Sequence, residues 1–388
     1  MTALLNKRLT DIKAGPQRAF LEKAKNTRGA VLLTASEPDF GISDGVRIHL
    51  SKSIEHGKTH YASPEGDYFV RRAIVDYETR VTGAVYSTDE VIVTVGASEG
   101  LYLAFQTILN PGDEVIIPMP AVSLYETDVR LAGGVPVFLD TSGDGFQINA
   151  EKLNALVTDK TKAILINSPN NPSGVIYSKD ELKALAAILQ KATEKYGRPI
   201  FLISDEPYRF LAFDGAVVPS VLPLYTYSVV IGSFSKNLAL AGERVGYVAI
   251  NPTMENVQSL ISGVIMTNRI LGFVNAPCIG QRLMKAALGT NADATEYVKR
   301  RKLMADVLTD AGLKFTMPAG TFYFFPQAPN GMDDVKFVSM LADEKILVVP
   351  GSGFGYPGYF RIALCGDTKF IERSRAGFKA AVKKALAK

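Results

Sequence analysis

The stretch VVIGSFSKNLALAGERVGYVAI, Val229 to Ile250, opens as an apolar run and ends it in Ser233-Phe234-Ser235-Lys236. Arg244 follows, then a second apolar run. Short apolar runs rich in β-branched residues and bounded by glycine and small polar residues predict buried strands. A lysine at the end of a buried strand loses hydration, which is costly unless the site uses the amine. The two serines before it and the guanidinium after it are the groups that suit an anion.

Similar runs recur upstream with helical patterns between them. EVIVTVG (Glu90–Gly96) reads as a strand ending in glycine. Apolar residues then fall at Leu101, Ala104, Phe105, Ile108 and Leu109, a helical period, until Pro111-Gly112 stops it. EVIIP (Glu114–Pro118) is a strand, and KAILINSPNNPSG (Lys162–Gly174) is a strand entering a Pro/Asn/Gly turn. SKDELKALAAILQKATEKYG (Ser178–Gly197) opens on an N-cap serine and closes on glycine. PIFLISDEPY is the next strand, and GYVAI ends the series. This alternation predicts an α/β fold with a mostly parallel central sheet flanked by helices.

From about Asn291 the texture changes. ATEYVKRRKLMADVLTDAG is a long amphipathic helix, and KFTMPAGTFYFFPQAP reads as a bent pair of strands. VKFVSMLADEK is a helix, ILVVPGSGFG and GYFRIALC are strands, and KFIERSRAGFKAAVKKALA is a closing helix. The expectation is a large domain over 46–285 and a smaller α+β domain made of 1–45 and 286–388.

The composition narrows the function. The chain has 388 residues, 47% hydrophobic and 21% charged, enough apolar material for a large core. A net charge of +4 with no basic cluster interleaved with aromatics argues against nucleic acid. No apolar run approaches the ~20 residues of a membrane helix. The start, MTALLNKRLTDIKAG, lacks a signal-peptide pattern. Cys278 and Cys365 are the only cysteines, which excludes a disulfide framework and favours a cytoplasmic location. His49, His56 and His60 are interrupted by Gly57 and have no thiol or acidic cluster beside them, so no metal is expected. PGSGFG (Pro350–Gly355) is followed by a turn and a strand, so it fails the context of a dinucleotide fingerprint.

Polar residues collect where the strands end, the position at which open parallel sheets bind ligands. Four ends stand out: Gly96-Ala97-Ser98, Asn170-Asn171, Asp205-Glu206-Pro207-Tyr208 and Ser233-Phe234-Ser235-Lys236. The first offers free N–H groups and a hydroxyl at a helix start, suited to phosphate. Ser233, Ser235 and Arg244 add to such a cradle. Asp205 is a carboxylate at a buried position that needs a cation. Lys236 supplies an amine. A phosphate cradle, a carboxylate for a pyridinium and a lysine for an aldehyde are together the requirements of pyridoxal 5′-phosphate (PLP).

SFSKNLALAGERVGY (Ser233–Tyr247) resembles the SxSKxxxxxGxRxGY signature of the fold-type I, class I/II PLP-dependent aminotransferases. NSPNNPSG (Asn167–Gly174), ISDEPYRFLAF (Ile203–Phe213), SEPDF (Ser36–Phe40), HYASPEGDYFVRRAI (His60–Ile74), NPGDEVIIPMP (Asn110–Pro120), GTFYFFP (Gly320–Pro326) and VVPGSGFG with YFRIAL match in order and spacing. The resemblance implies transfer of an amino group between an L-amino acid and a 2-oxo acid in a ping-pong mechanism. It makes Lys236 the Schiff-base lysine and proton carrier, and Asp205 the partner of the pyridine nitrogen. Tyr208 and Asn171 would bond the ring's phenolic oxygen. Ala97, Ser98, Ser233, Ser235 and Arg244 would hold the phosphate, joined by Tyr61 from the neighbouring subunit of a homodimer. Arg361 would clamp the substrate carboxylate, with Asn171, Ser36 and Tyr125 also on the substrate side.

There are departures. Val122 stands where the family often stacks Trp or Tyr on the ring. Ser36 replaces a common Gly, and Ser98 stands where many aspartate-using relatives carry Lys. Arg269 falls in a segment that borders the partner's site in relatives and could contact an acidic substrate side chain or sit in an ion pair. The same scaffold also carries C–S β-lyases and aminocyclopropane-carboxylate-synthase-like eliminations, which remain the alternative. A regulator using this domain behind a DNA-binding module is not expected, since the fold begins within about fifteen residues of Met1.

Overall fold

The computed structural model describes residues 29–57, 59–83, 86–290 and 294–387. The strands are β1 (Val31–Leu32), β2 (Val91–Thr94), β3 (Glu114–Met119), β4 (Val135–Asp140), β5 (Thr161–Asn167), β6 (Phe201–Asp205), β7 (Ser228–Ser233), β8 (Gly246–Ile250), β9 (Tyr323–Phe324), β10 (Ile346–Leu347), β11 (Val349–Pro350) and β12 (Phe360–Ala363). The longer helices are α1 (Asp44–Glu55), α2 (Tyr68–Thr82), α3 (Gly96–Ile108), α4 (Ser123–Leu131), α5 (Ala150–Leu156), α6 (Lys179–Tyr196), α7 (Val257–Ile270), α8 (Cys278–Ala287), α9 (Ala294–Asp310), α10 (Asp334–Asp343) and α11 (Thr368–Leu386).

Seven strands form one sheet in the order β2-β8-β7-β6-β5-β3-β4. Only β8 runs against its neighbours; the other pairings are parallel. The stretch Val229 to Ile250 makes that reversal, since β7 returns directly as β8 without a crossover helix. Helices cover both faces, so the central strands are buried on both sides, as parallel sheets require. Along β5, Ala163 and Leu165 face the core built with α3, α4 and α7, while Ile164 and Ile166 face the core built with α2, α5, α6 and α8.

Local signals set the helix ends. Ser178 caps α6 in a capping box: Glu181 N–H donates to Ser178 Oγ (3.2 Å) and Ser178 N–H to Glu181 Oε2 (2.7 Å). Gly197 ends the helix in the left-handed conformation.

A third core gathers the C-terminal elements. Phe322, Tyr323, Phe324, Phe360 and Ile362 pack with the apolar faces of α9, α10 and α11. Val31 and Leu33 join it, and β1 pairs in parallel with β10. Residues 1–28 of the small domain expected from the sequence lie outside the described residues.

The bent pair of strands expected over KFTMPAGTFYFFPQAP is reduced to β9, which pairs with β12. Its flanks make single bridges instead, Ala212 with Gly320 and Gln327 with Tyr359. Pro318 and Pro326 offer no N–H to a ladder, and Thr321 sits at φ 64°, which breaks the extended course. Among the described residues no helix is long and apolar enough to cross a membrane.

Candidate active site

Strands β2, β5, β6 and β7 point the same way, so their carboxyl ends reach one edge of the sheet. Asp205 closes β6 and is 6% exposed. Its Oδ2 accepts from the Tyr125 hydroxyl (2.6 Å), and its backbone carbonyl accepts from Asn167 Nδ2 (2.8 Å). Its Oδ1 has no hydrogen-bond partner among the described residues. Burial pushes the carboxyl up to about 7; Tyr125 pulls it down and Glu206 pushes it further up. Among the described residues, no cation pulls it back down.

Arg361 presents the opposite deficit. It lies on β12, brought over the sheet edge by the C-terminal unit, and is 4% exposed. Nη1 donates to Asn171 Oδ1 (3.1 Å), and Nη2 donates to the Thr34 carbonyl (3.2 Å) and to Ser36 Oγ (3.1 Å). Nε has no partner. The guanidinium stands 4.5 Å from the Tyr323 ring centroid and 4.9 Å from that of Phe354. It has no carboxylate partner among the described residues. A buried arginine held by neutral acceptors and ring faces retains its attraction for an anion.

Asn171 and Tyr208 lie between the two charges. Asn171 N–H donates to Asn167 Oδ1 (2.7 Å), which fixes the turn after β5. Its Nδ2 donates to the Tyr208 hydroxyl (3.4 Å). Tyr208 is buried, and its hydroxyl shares a hydrogen bond with that of Tyr323 (3.1 Å).

Lys236 follows β7, and its ammonium donates to the Ser36 carbonyl. Burial lowers its pKa; Cys365 and Glu37 oppose that, and the Arg244 and Arg361 guanidiniums reinforce it. The amine is therefore easier to deprotonate than an exposed lysine, as a nucleophile or proton carrier requires.

The anion cradle lies beside it. Gly96 starts α3 at φ 76°, and a Cβ there would stand 2.5 Å from Arg244 Nη2. Glycine thus allows the guanidinium to lie against the helix start that presents Ala97 and Ser98. Arg244 itself is held at φ 54°, donates from Nη1 to the Ala241 carbonyl (3.0 Å), and has no carboxylate partner among the described residues. Among the described residues it makes no ion pair with the adjacent Glu243. Ser233 Oγ accepts from Ser235 N–H (3.1 Å).

Two more of the expected residues lie outside the Arg361 pocket. Tyr125 faces Asp205 rather than Arg361, because α4 lies on the helical layer below the strand ends. Tyr61 is 89% exposed and lines an open surface pocket with Phe273 and Cys278. Val122 packs into the core on the α3 and α4 side, and Arg269 is exposed on α7 with no ion pair among the described residues. Sequence reasoning missed Thr34, Asn167, Tyr323 and Phe354. For Asn167 the signal was present as the first residue of NSPNNPSG; for Thr34 only a backbone oxygen is used, which no side chain announces.

A family model described as aminotransferase class I and II matches residues 28–375. The chain is 36% identical over 392 residues to a putative aminotransferase of Bacillus subtilis, covering 98% of each. It is 32% identical to the aspartate/prephenate aminotransferase of Thermus thermophilus, over 96% of this chain and 97% of that protein. Among solved structures, an amino transferase from Eubacterium rectale superposes with a TM-score of 0.92 at 31% identity, covering 98% and 99% of the two chains. The aspartate aminotransferase of Thermus thermophilus with maleate superposes with a TM-score of 0.89 at 30% identity, covering 97% and 99%.

Proposed function

The chain belongs to the class I and II aminotransferases, PLP-dependent enzymes, and on that premise we propose that its site is the set of strand ends around Lys236 and Asp205. The observation that carries this reading is a pair of buried, uncompensated charges of opposite sign, Asp205 and Arg361. The lone Asp205 Oδ1 suits a protonated pyridine nitrogen, and Arg361 suits a carboxylate. Arg244 pressed against Gly96 suits the cofactor's phosphate.

When bound, PLP supplies a carbonyl that links to amines and a ring that takes up the electron pair of a broken bond at Cα. Asp205 holds the proton on the pyridine nitrogen. Tyr208 and Asn171 hold the ring oxygen by hydrogen bonds. Ser233, Ser235, Arg244 and the N–H groups at Ala97 and Ser98 anchor the phosphate. Arg361, with Ser36 and Asn171 on its flanks, orients the substrate carboxylate and so the Cα–H bond. The Lys236 amine, its pKa lowered by burial, carries the proton away from Cα.

The active unit is a homodimer with shared sites, and Tyr61 completes the phosphate cradle of the partner. Support comes from an exposed apolar surface with Tyr61, Met266, Ile270, Phe273 and Val274, which a monomer would leave wet. The large domain spans 46–285 and the small one 1–45 and 286–388, in keeping with the separate C-terminal core. A cytoplasmic location accords with two free cysteines. Substrates are an L-amino acid and a 2-oxo acid, and relatives named for aspartate make it the first donor to offer.

The test is the visible spectrum of the PLP-loaded protein with single amino acids and no acceptor. Loss of the yellow band with one 2-oxo acid formed per site supports the reading and names the donor class. Release of ammonia or a thiol with continued turnover would move the chain to the lyase alternative.

A further inference from the structure

We propose that Tyr323 is a positioning residue that joins the carboxylate clamp to the cofactor's ring oxygen. The idea rests on the roles given above to Arg361 and Tyr208. Tyr323 is fully buried, and two sides of it are in use. Its ring face carries the Arg361 guanidinium at 4.5 Å, and its hydroxyl meets that of Tyr208 at 3.1 Å. Arg361 also reaches Tyr208 by the other route, through Asn171. The four side chains therefore close a ring.

The backbone fixes this placement. Tyr323 pairs with Ala363, two residues past Arg361 on β12. A Cβ at Gly320 would stand 2.7 Å from Pro169 Cβ and 3.0 Å from the Leu211 carbonyl, so the segment crosses tight against both. Thr321 N–H donates to that Leu211 carbonyl (3.0 Å), three residues after Tyr208.

Proton counting sets the direction. Tyr208 has one hydroxyl proton. If it donates that proton to the ring oxygen, it can only accept from Tyr323, so Tyr323 is the donor. A hydroxyl that accepts one bond is the better donor of the next. Tyr323 thus strengthens the bond to the ring oxygen, while its ring holds the guanidinium in place for the substrate.

The two contributions separate by substitution. Tyr323→Phe keeps the ring and loses the hydroxyl. Less support for a negative ring oxygen favours the protonated form of the bound cofactor. The pH midpoint of the visible band should rise by roughly half a unit to one unit, with the KM for the amino acid changed less than about twofold. Tyr323→Leu should show the same midpoint shift and raise KM about three- to tenfold. Equilibrium binding of PLP to the apoprotein should weaken about two- to fivefold in both variants. An unmoved midpoint in the conservative Phe variant would overturn the hydroxyl link, and an unmoved KM in a folded Leu variant would overturn the ring's part. Arg361→Lys is the control: a KM rise there with silent Tyr323 variants defeats this inference alone, and no rise there defeats the site reading beneath it.

Discussion

Asp205 and Glu78 have nearly the same chemistry in two different regions. Each is buried, each accepts a tyrosine hydroxyl on one oxygen, from Tyr125 and Tyr247 respectively, and each leaves the other oxygen unpartnered. Burial pushes both up to about 7. Their settings differ. Glu78 lies on α2 inside a helical layer, among Tyr77, Tyr86 and Tyr247, and the Arg209 guanidinium already pulls it down. Asp205 lies at a strand end, has no cation pulling its carboxyl down among the described residues, and shares the sheet edge with Lys236. Burial and a raised pKa are therefore poor markers of function. What marks Asp205 is a missing counter-charge at a place a ligand can reach.

Neutralising each carboxyl in turn separates the two roles. Asp205→Asn should slow the half-reaction about a thousandfold or more, while Glu78→Gln should change it less than about threefold. Single-turnover absorbance measures both; equal losses would mean the two carboxyls are not distinct in role. The other uncompensated charge comes next. Arg361→Lys should raise the amino-acid KM roughly 10- to 100-fold, because a point charge replaces a planar fork, with a smaller change in kcat.

The third effect is on stability. A carboxyl raised in the folded state keeps a proton that the unfolded chain has lost. Its stabilisation is therefore complete below the unfolded pKa and is lost as pH rises through the folded one. For Glu78 that window runs from the ordinary glutamate value of 4.5 to about 7. The apoprotein should lose stability across it, and Glu78→Gln should flatten the decline in urea titrations at pH 5, 6 and 7. An unchanged slope would mean Glu78 is ionised throughout. The smallest effect belongs to Tyr125→Phe, which removes one bond to Asp205 and should weaken PLP binding about three- to tenfold in equilibrium titrations.

Much of this was legible in the sequence, and the reasons are local. The strand ends carrying Asn171, Asp205 and Lys236 follow apolar runs, and α6 announces itself by its cap and closing glycine. Less legible were features that depend on how units meet. Nothing in GTFYFFP says that Tyr323 will touch Tyr208, because that contact needs β12 to cross the sheet edge. The resemblance puts Tyr125 on the substrate side, but it does not fix the layer from which the hydroxyl approaches, and that hydroxyl meets Asp205. The strand pair around β9 failed because pairing is set by the partner as much as by propensity.

Lys236 is the amine proposed to hold the cofactor. Reducing the PLP-loaded protein with borohydride fixes the link, and peptide mass mapping then finds it. The added mass is expected on the peptide containing Ser233 to Lys236, and is expected to be absent in Lys236→Ala. The mass on another lysine would contradict it.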